Sequence, residues 1–496
     1  MTPAAPPFGR IRSFLWPIHR HELRKLVPML LLFFFISLVY SLLRNTKDAL
    51  VVTAPGGGAG LIPFIKVYGT IPGSVLIMLA YAWLSRHMGK KRVFQVSIGF
   101  FMAFFLAFAV VYPHRDALEP VAWATTVRGG LGGHLAGMAR HWVLALFYVM
   151  SELWGSVALS LLFWGFANDI TRVEESKRFY ALFGIGANLA LVAVRFVNPL
   201  IHALGSALQA VTGADRWTSY LRALVVVVLL CGAAIIGLYR WIHARVLTDP
   251  RFPASVDPAA FRKPRVAMSM GQGIRFLAKS RYLRLIALLV LSYGIAINLI
   301  EVAWKNQLGL RYPDPGDYQD YMAGFSMATG LLTLVLMLFV SGNLMRRFGW
   351  TFAALVTPVV LAVTGAGFFG FILGQGVLAG WLARLATTPA AMSVHFGAIQ
   401  NVMSKSAKYS LFDPTKEMAY IPLDQESKVR GKAAIDVVGA RLGKAGGSLI
   451  QQALLAAYGS IGAITGPTAV ILAGVIGVWI WATASLGGMF KRLDPA

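Results

Sequence analysis

The stretch WVLALFYVMSELWGSVALSLLFWGF, residues 142–166, carries one charge, Glu152, among 25 residues. An α-helix rises about 1.5 Å per residue, so about 20 apolar residues cross the hydrocarbon core of a bilayer. Glu152 stands ten residues in, too deep for its side chain to reach a surface easily. A charge near the bilayer centre costs about 2.5–3.5 kcal/mol on insertion scales; it persists where it pairs with another charge or lines a polar path. The pattern recurs three times, with Lys66 inside 61–84, Glu301 inside 283–308 and Lys444 inside 433–457. Four charges at spanning depth point to a substrate path through an integral membrane protein.

Composition agrees. The 496 residues are 57% hydrophobic and only 14% charged, against about 25% charged in soluble proteins. The net charge of +25 would suggest nucleic acid in a soluble chain. Here the basic residues collect in short loops between apolar runs, which is how orientation is fixed in a membrane. No basic, aromatic-interleaved soluble domain exists to hold a nucleic acid. The one cysteine, Cys231, lies in an apolar run and offers neither an internal disulfide nor a metal cluster. Residues 2–26 are basic and lead directly into an apolar stretch, so the first hydrophobic segment reads as a retained span rather than a cleaved signal.

Twelve candidate spans follow: 26–43, 61–84, 93–112, 142–166, 179–201, 217–242, 283–304, 321–344, 350–373, 389–405, 433–457 and 466–489. With twelve crossings, the basic tail and the basic segments after the second, sixth, eighth and twelfth spans all fall on one side, which predicts cytoplasmic termini. The segment 244–281 is rich in proline and basic residues and reads as a linker. It divides a six-helix bundle at 1–243 from a second at 282–496. Arg86-His87-Met88-Gly89 after the second span is echoed by Arg346-Arg347-Phe348-Gly349 after the eighth. The predicted fold is therefore an all-α integral membrane protein of twelve transmembrane helices in two six-helix halves, major-facilitator-like, with substrate between the halves near mid-membrane.

Two of the candidate charges also have a plainer explanation. Lys66 follows Pro63 closely and could snorkel to the interface. Glu301 and Lys305 have the i,i+4 spacing of a local helix ion pair. Lys444 lies in RLGKAGGS, residues 441–448, whose glycines permit close helix packing. That stretch is no phosphate loop: Gly439 and Gly443 are separated by three residues rather than four, and Ala445 follows the lysine. No HExxH, CxxC or Gly-x-Ser-x-Gly pattern occurs, so neither an enzyme nor a bound metal or cofactor is expected.

Longer stretches carry a resemblance. TKDALVVT (46–53), IPFIK (62–66), YVMSELWGS (148–156), LFWGFAN (162–168), FYALFG (179–184), GAN (186–188), INLIEVAWK (297–305) and SAKYSLFDPTKEMAYIP (406–422), with residues 431–448, resemble the nucleotide transporter, or ATP/ADP translocase, family of plastids and obligate intracellular bacteria. The likeness spans nearly the whole chain. The chain departs in its long, Gly-rich segment 113–141 and in Ser151, where alanine is usual.

The resemblance implies a multi-pass protein of a bacterial inner membrane that exchanges external ATP for internal ADP. It places the family's four key charged positions on Lys66, Glu152, Glu301 and Lys444. Lys66 and Lys444 would meet the phosphates, helped by Arg44, Lys47, Arg195 or Arg441. Glu152 and Glu301 would hold the lysines. Phe64, Tyr148 or Trp154 would stack on the purine, and Asn188 or Asn298 would hydrogen-bond it. Lys305 completes the candidate set. ATP and ADP are the expected partners, with phosphate a further candidate, a monomer in the bilayer the expected state, and a proton-coupled nucleotide symporter the alternative.

Overall fold

Apolar runs of spanning length, punctuated by Gly, Pro and basic residues, set the architecture. The computed structural model describes residues 18–119, 130–171, 173–249, 270–424 and 427–493. Among these there are twelve long helices and no strand: α1 (Leu23–Val52), α2 (Ala59–His87), α3 (Lys90–Val111), α4 (Trp142–Ile170), α5 (Val173–Thr212), α6 (Arg216–Val246), α7 (Arg281–Arg311), α8 (315–348), α9 (350–373), α10 (389–418), α11 (Lys432–Tyr458) and α12 (Thr465–Leu493). Residues 250–269, most of the expected linker, lie outside the described residues. Met270–Lys279, also assigned to that linker, forms a helix of its own. Gly130–Arg140, expected as loop, is likewise helical.

Local chemistry explains where the helices stop. Gly349 has φ 78° and ψ 175°, a region essentially closed to other residues, and it separates α8 from α9. Asp215 caps α6, its carboxylate accepting from the Thr218 amide at 2.9 Å. Asp314 caps α8, accepting from the amides of Gly316 and Asp317.

Several helices end later than hydropathy predicts, among them α5 at Thr212 and α7 at Arg311. The first span, expected to close at residue 43, continues as α1 through Val52. The tenth, expected to close at 405, continues through a wide i→i+5 turn at Lys408–Phe412 and on to Met418. Nine described segments are long and apolar enough to cross a membrane, Pro315–Leu373 holding both α8 and α9. Helices α10 and α11 have the length but are too polar to be among them.

In the first half α1 packs on α4, α5 and α6; in the second α7 packs on α10, α11 and α12. The halves meet along α5–α8, α1–α8 and α2–α11. Where α11 crosses α7, a Cβ on Gly443 would lie 3.2 Å from the Gly294 Cα, and one on Gly447 would lie 2.8 Å from the Asn298 Cβ. Small residues thus let these two backbones touch.

Contacts between halves gather at the face opposite the chain ends. The Asn45 amide donates to the Met322 carbonyl and to Ser326 Oγ at 3.2 and 2.9 Å. Gln452 donates to the Pro63 carbonyl at 3.0 Å. Asp320 accepts from Asn198 at 2.5 Å and lies 3.1 Å from His202 Nε2. At the chain-end face, the ion pairs Lys25–Glu175, Arg178–Glu22, Lys90–Asp169 and Lys432–Glu417 each stay within one half.

Candidate functional site

Glu301 is the centre of a charge cluster built from α1, α2, α4, α7 and α10. It lies about ten residues before the end of α7, some 15 Å along the helix axis at about 1.5 Å per residue. Its carboxylate is approached by four cations. Lys405 Nζ is 3.1 Å away, Lys305 Nζ and Arg44 Nη2 are each at 3.5 Å, and Lys66 Nζ is at 3.9 Å. Arg44 and Lys66 come from the first half, Lys305 and Lys405 from the second. Lys66 also donates to Asn298 Oδ1 at 2.5 Å, and the Asn298 amide donates to the Gly294 carbonyl at 3.0 Å.

A second tier sits beside the first. Asp48 Oδ1 pairs with Lys47 and Oδ2 with Lys305, each at 2.8 Å. Lys47 also reaches Glu152 at 3.1 Å and lies 3.7 Å above the centre of the Tyr148 ring. The Lys47, Asp48 and Lys305 side chains are at most 2% exposed. Removing ions from water this fully is tolerable only where each is paired and hydrogen-bonded. The described cluster holds five cations and three carboxylates. Its formal excess is two positive charges, a standing demand for an anion.

Helices α2, α4 and α10 each carry a wide i→i+5 turn at or soon after their cluster residue: Ile65–Thr70 around Lys66, Gly155–Phe163 after Glu152, and Lys408–Phe412 after Lys405. Such insertions recur at functional sites, where they re-aim side chains.

Of the residues singled out from sequence, Lys66, Glu152, Glu301, Arg44, Lys47, Asn298, Lys305 and Tyr148 fall in or against this cluster. Arg441 and Lys444 lie on α11, which abuts α7 at Gly443 and Gly447, but their side chains are outside the described residues. Four others are elsewhere. Phe64 is buried and stacks on His134 at 5.0 Å, because the start of α2 packs under the Gly130–Arg140 helix. Asn188 donates to the Gly184 carbonyl at 2.8 Å and contacts the Met337 sulfur at the α5–α8 seam. Arg195 lines a separate cavity of about 320 Å³ with His202, Arg216 and Asp320. Trp154 is fully buried and donates to the Ile36 carbonyl at 3.0 Å, tying α4 to α1.

Sequence reasoning missed Asp48 and Lys405. Both stood at or beyond the hydropathic ends of their spans, where a charge needs no explanation. The signal available was helical spacing, since Asp48 is one turn beyond Arg44 on a continuing helix.

Twelve helices in two halves, closed over a buried cation-rich cluster to which both contribute, define a membrane carrier of the major-facilitator kind. The backbone resembles a bacterial homologue of the iron transporter ferroportin in its inward-facing state, with TM-score 0.57 and 16% identity over 95% of this chain and 98% of that one. That likeness concerns the fold alone. Residues 2–490 match the TLC ATP/ADP transporter family. The chain is 51% identical to ADP,ATP carrier protein 1 of Chlamydia trachomatis serovar D, covering 99% of this chain and 94% of the relative. It is 44% identical to the chloroplastic ADP,ATP carrier protein 2 of Arabidopsis thaliana, covering 95% and 75%. This chain belongs to the TLC ATP/ADP transporter family.

Proposed function

We propose that this protein exchanges ATP for ADP across a bacterial inner membrane by alternating access, with both chain ends in the cytoplasm. The observation that carries the reading is Glu301. One carboxylate holds cations from both halves in a cluster that still has positive charge to spare. ATP and ADP bring about three to four negative charges on their phosphates, and lysine and arginine bind such oxygens through charge-assisted hydrogen bonds.

In this reading Glu301 is an internal stand-in for the substrate. Arriving phosphates compete with it for Arg44, Lys66 and Lys405, and Lys444 and Arg441 add charge from α11. Lys47 is engaged by Asp48, Glu152 and the Tyr148 face, so it positions the site rather than meeting phosphate. Inorganic phosphate fits the same cations and is a candidate co-substrate. One chain supplies both halves of the site, so a monomer suffices. No covalent bond changes, and the protein acts as a carrier rather than an enzyme.

The contacts gathered opposite the chain ends support a state closed to the outside and accessible from the cytoplasm. Without nucleotide, occluding the surplus cations away from water is costly. Binding of nucleotide lowers that cost and permits the halves to rock. The test is uptake of labelled ATP into proteoliposomes with and without internal ADP. Uptake is expected only when ADP is inside. ATP accumulation in nucleotide-free vesicles driven by a pH gradient would instead establish symport.

A further inference from the structure

Lys305 belongs to two ion pairs of different character. Its Nζ is 2.8 Å from Asp48 Oδ2, across the interface between the halves, and 3.5 Å from Glu301 Oε1, one turn back on its own helix. The first is a tether from α7 to α1 near the outer ends of both helices. The second belongs to the candidate substrate site. Exposure separates Lys305 from two of the other cations on Glu301. Arg44 and Lys66 side chains are 22% and 19% exposed, whereas Lys305 is 2% exposed. An incoming anion reaches the first two before it reaches Lys305.

We propose that Lys305 is the coupling residue of the carrier, moving from Asp48 to Glu301 when nucleotide binds and so releasing the outer closure only in the loaded protein. The inference rests on the exchange reading above. When phosphates draw Arg44, Lys66 and Lys405 away, Glu301 is left a buried carboxylate short of partners. Lys305, already within 3.5 Å, is the cation that can restore it without crossing the interface. Asp48 does not become bare, because Lys47 remains on its other oxygen at 2.8 Å. Every buried carboxylate therefore keeps at least one cation in both arrangements, which is the condition for a two-position switch rather than a costly intermediate. What changes is that the α1–α7 tether exists in one arrangement only. The empty carrier stays tethered and the loaded carrier does not, which makes exchange obligatory. Lys305 in this role is a positioning residue.

The outer closure can be read directly by a disulfide. A Cβ built on Gly309 lies 3.9 Å from the Val52 Cβ, within the span a disulfide bridges. Cys231 is the sole cysteine. Val52→Cys with Gly309→Cys in a Cys231→Ser background therefore reports the α1–α7 closure through its cross-linking rate under mild oxidation. In that parent, cross-linking without nucleotide is expected to be efficient and to slow at least about three-fold with saturating ATP. Adding Lys305→Gln or Asp48→Asn is expected to slow cross-linking without nucleotide to the loaded level and to abolish most of the ATP response. Lys305→Arg is expected to keep both.

In proteoliposomes without internal nucleotide, the Gln and Asn variants, each without the cysteine pair, are expected to show one-way ATP uptake at least about ten-fold above the unsubstituted protein. Cross-linking and ATP response unchanged in both variants would overturn the proposal. So would slowed cross-linking with no gain in one-way transport in either, since that is what mere misfolding gives. If the unsubstituted protein fails to exchange ATP for ADP, the reading beneath falls. If it exchanges and the variants behave like it, only the role of Lys305 falls.

Discussion

Replacing Glu301 by Gln separates a carboxylate that competes with substrate from one that contacts it. The carboxylate faces four cations at 3.1 to 3.9 Å. At an effective dielectric of about 20, unit charges 4 Å apart interact by about 4 kcal/mol, so the gross attraction is large. Mutual repulsion of the cations and their lost hydration offset most of it. Removing one partner of a buried charge pair typically costs about 3–5 kcal/mol, and with Glu301 14% exposed the lower end applies. The empty Glu301→Gln protein is therefore expected to be less stable by about 3 kcal/mol. Nucleotide supplies the missing negative charge and no longer has to displace a carboxylate. If about half of that loss is recovered on binding, ATP affinity rises about ten-fold. Exchange slows, because release must leave three uncompensated cations where the native protein leaves two. The assays are thermal unfolding in detergent with and without ATP, equilibrium binding, and exchange in proteoliposomes. Weaker ATP binding than in the native protein would refute the competitor role, since that is the behaviour of a group that itself holds substrate.

Other perturbations follow from the same geometry. Lys405→Gln removes a buried cation that points at Glu301, and it is expected to raise the KM for ATP and ADP at least about ten-fold, the loss of one charge-assisted contact; an unchanged KM in exchange assays would remove Lys405 from the site. Gly349→Ala forces a side chain into φ 78°, ψ 175° and is expected to cost about 1–3 kcal/mol. Gly89→Ala at the matching turn of the first half, with φ −65° and ψ 149°, is expected to be nearly neutral, and equal losses on thermal unfolding would contradict this account. Asp215→Ala removes the α6 cap and is expected to cost about 1 kcal/mol. Burial pushes the Asp215 carboxyl up, but hydrogen bonds from Thr218 and the Trp217 amide, with the nearby Arg115 charge, together hold it below its usual value. The stabilisation from this cap is thus complete above the unfolded pKa of about 3.9 and is lost as pH falls through the lower folded value. A stability difference between native and Asp215→Ala proteins that widens below pH 4 would show that sign to be wrong.

The cost of burying charge made much of this arrangement legible before any coordinates. Lys66, Glu152 and Glu301 drew notice because each interrupts an apolar run, and the fold brings Lys66 within 3.9 Å of Glu301. The echo of Gly89 at Gly349 marked two turns, although only the second needs glycine for its backbone. The same criterion concealed Asp48 and Lys405. Hydropathy closes a span where charges accumulate, so it assigns a charged final turn to the surface even when the helix continues into a buried cluster. Pairing was equally hidden. The i,i+4 spacing of Glu301 and Lys305 suggested a local pair, yet the shorter contact of Lys305 is the 2.8 Å one to Asp48, hundreds of residues away in the chain. Only the docking of α1 on α7 decides between them.

That ordering bears on how such a chain can be a carrier at all. Charges that are satisfied locally, within one helix or one half, would be indifferent to whether the halves move. Here Asp48 pairs with Lys305, and Glu301 with Arg44 and Lys66, so much of the cluster's compensation is made across the moving boundary. Opening the outer side therefore strips partners from buried ions unless something else supplies the charge. A polyanion can do that, and a neutral solute of the same size cannot. On the proposed exchange mechanism, selectivity for loaded over empty movement follows from where the charges are paired, and the residues that set it are those with ion pairs between the halves.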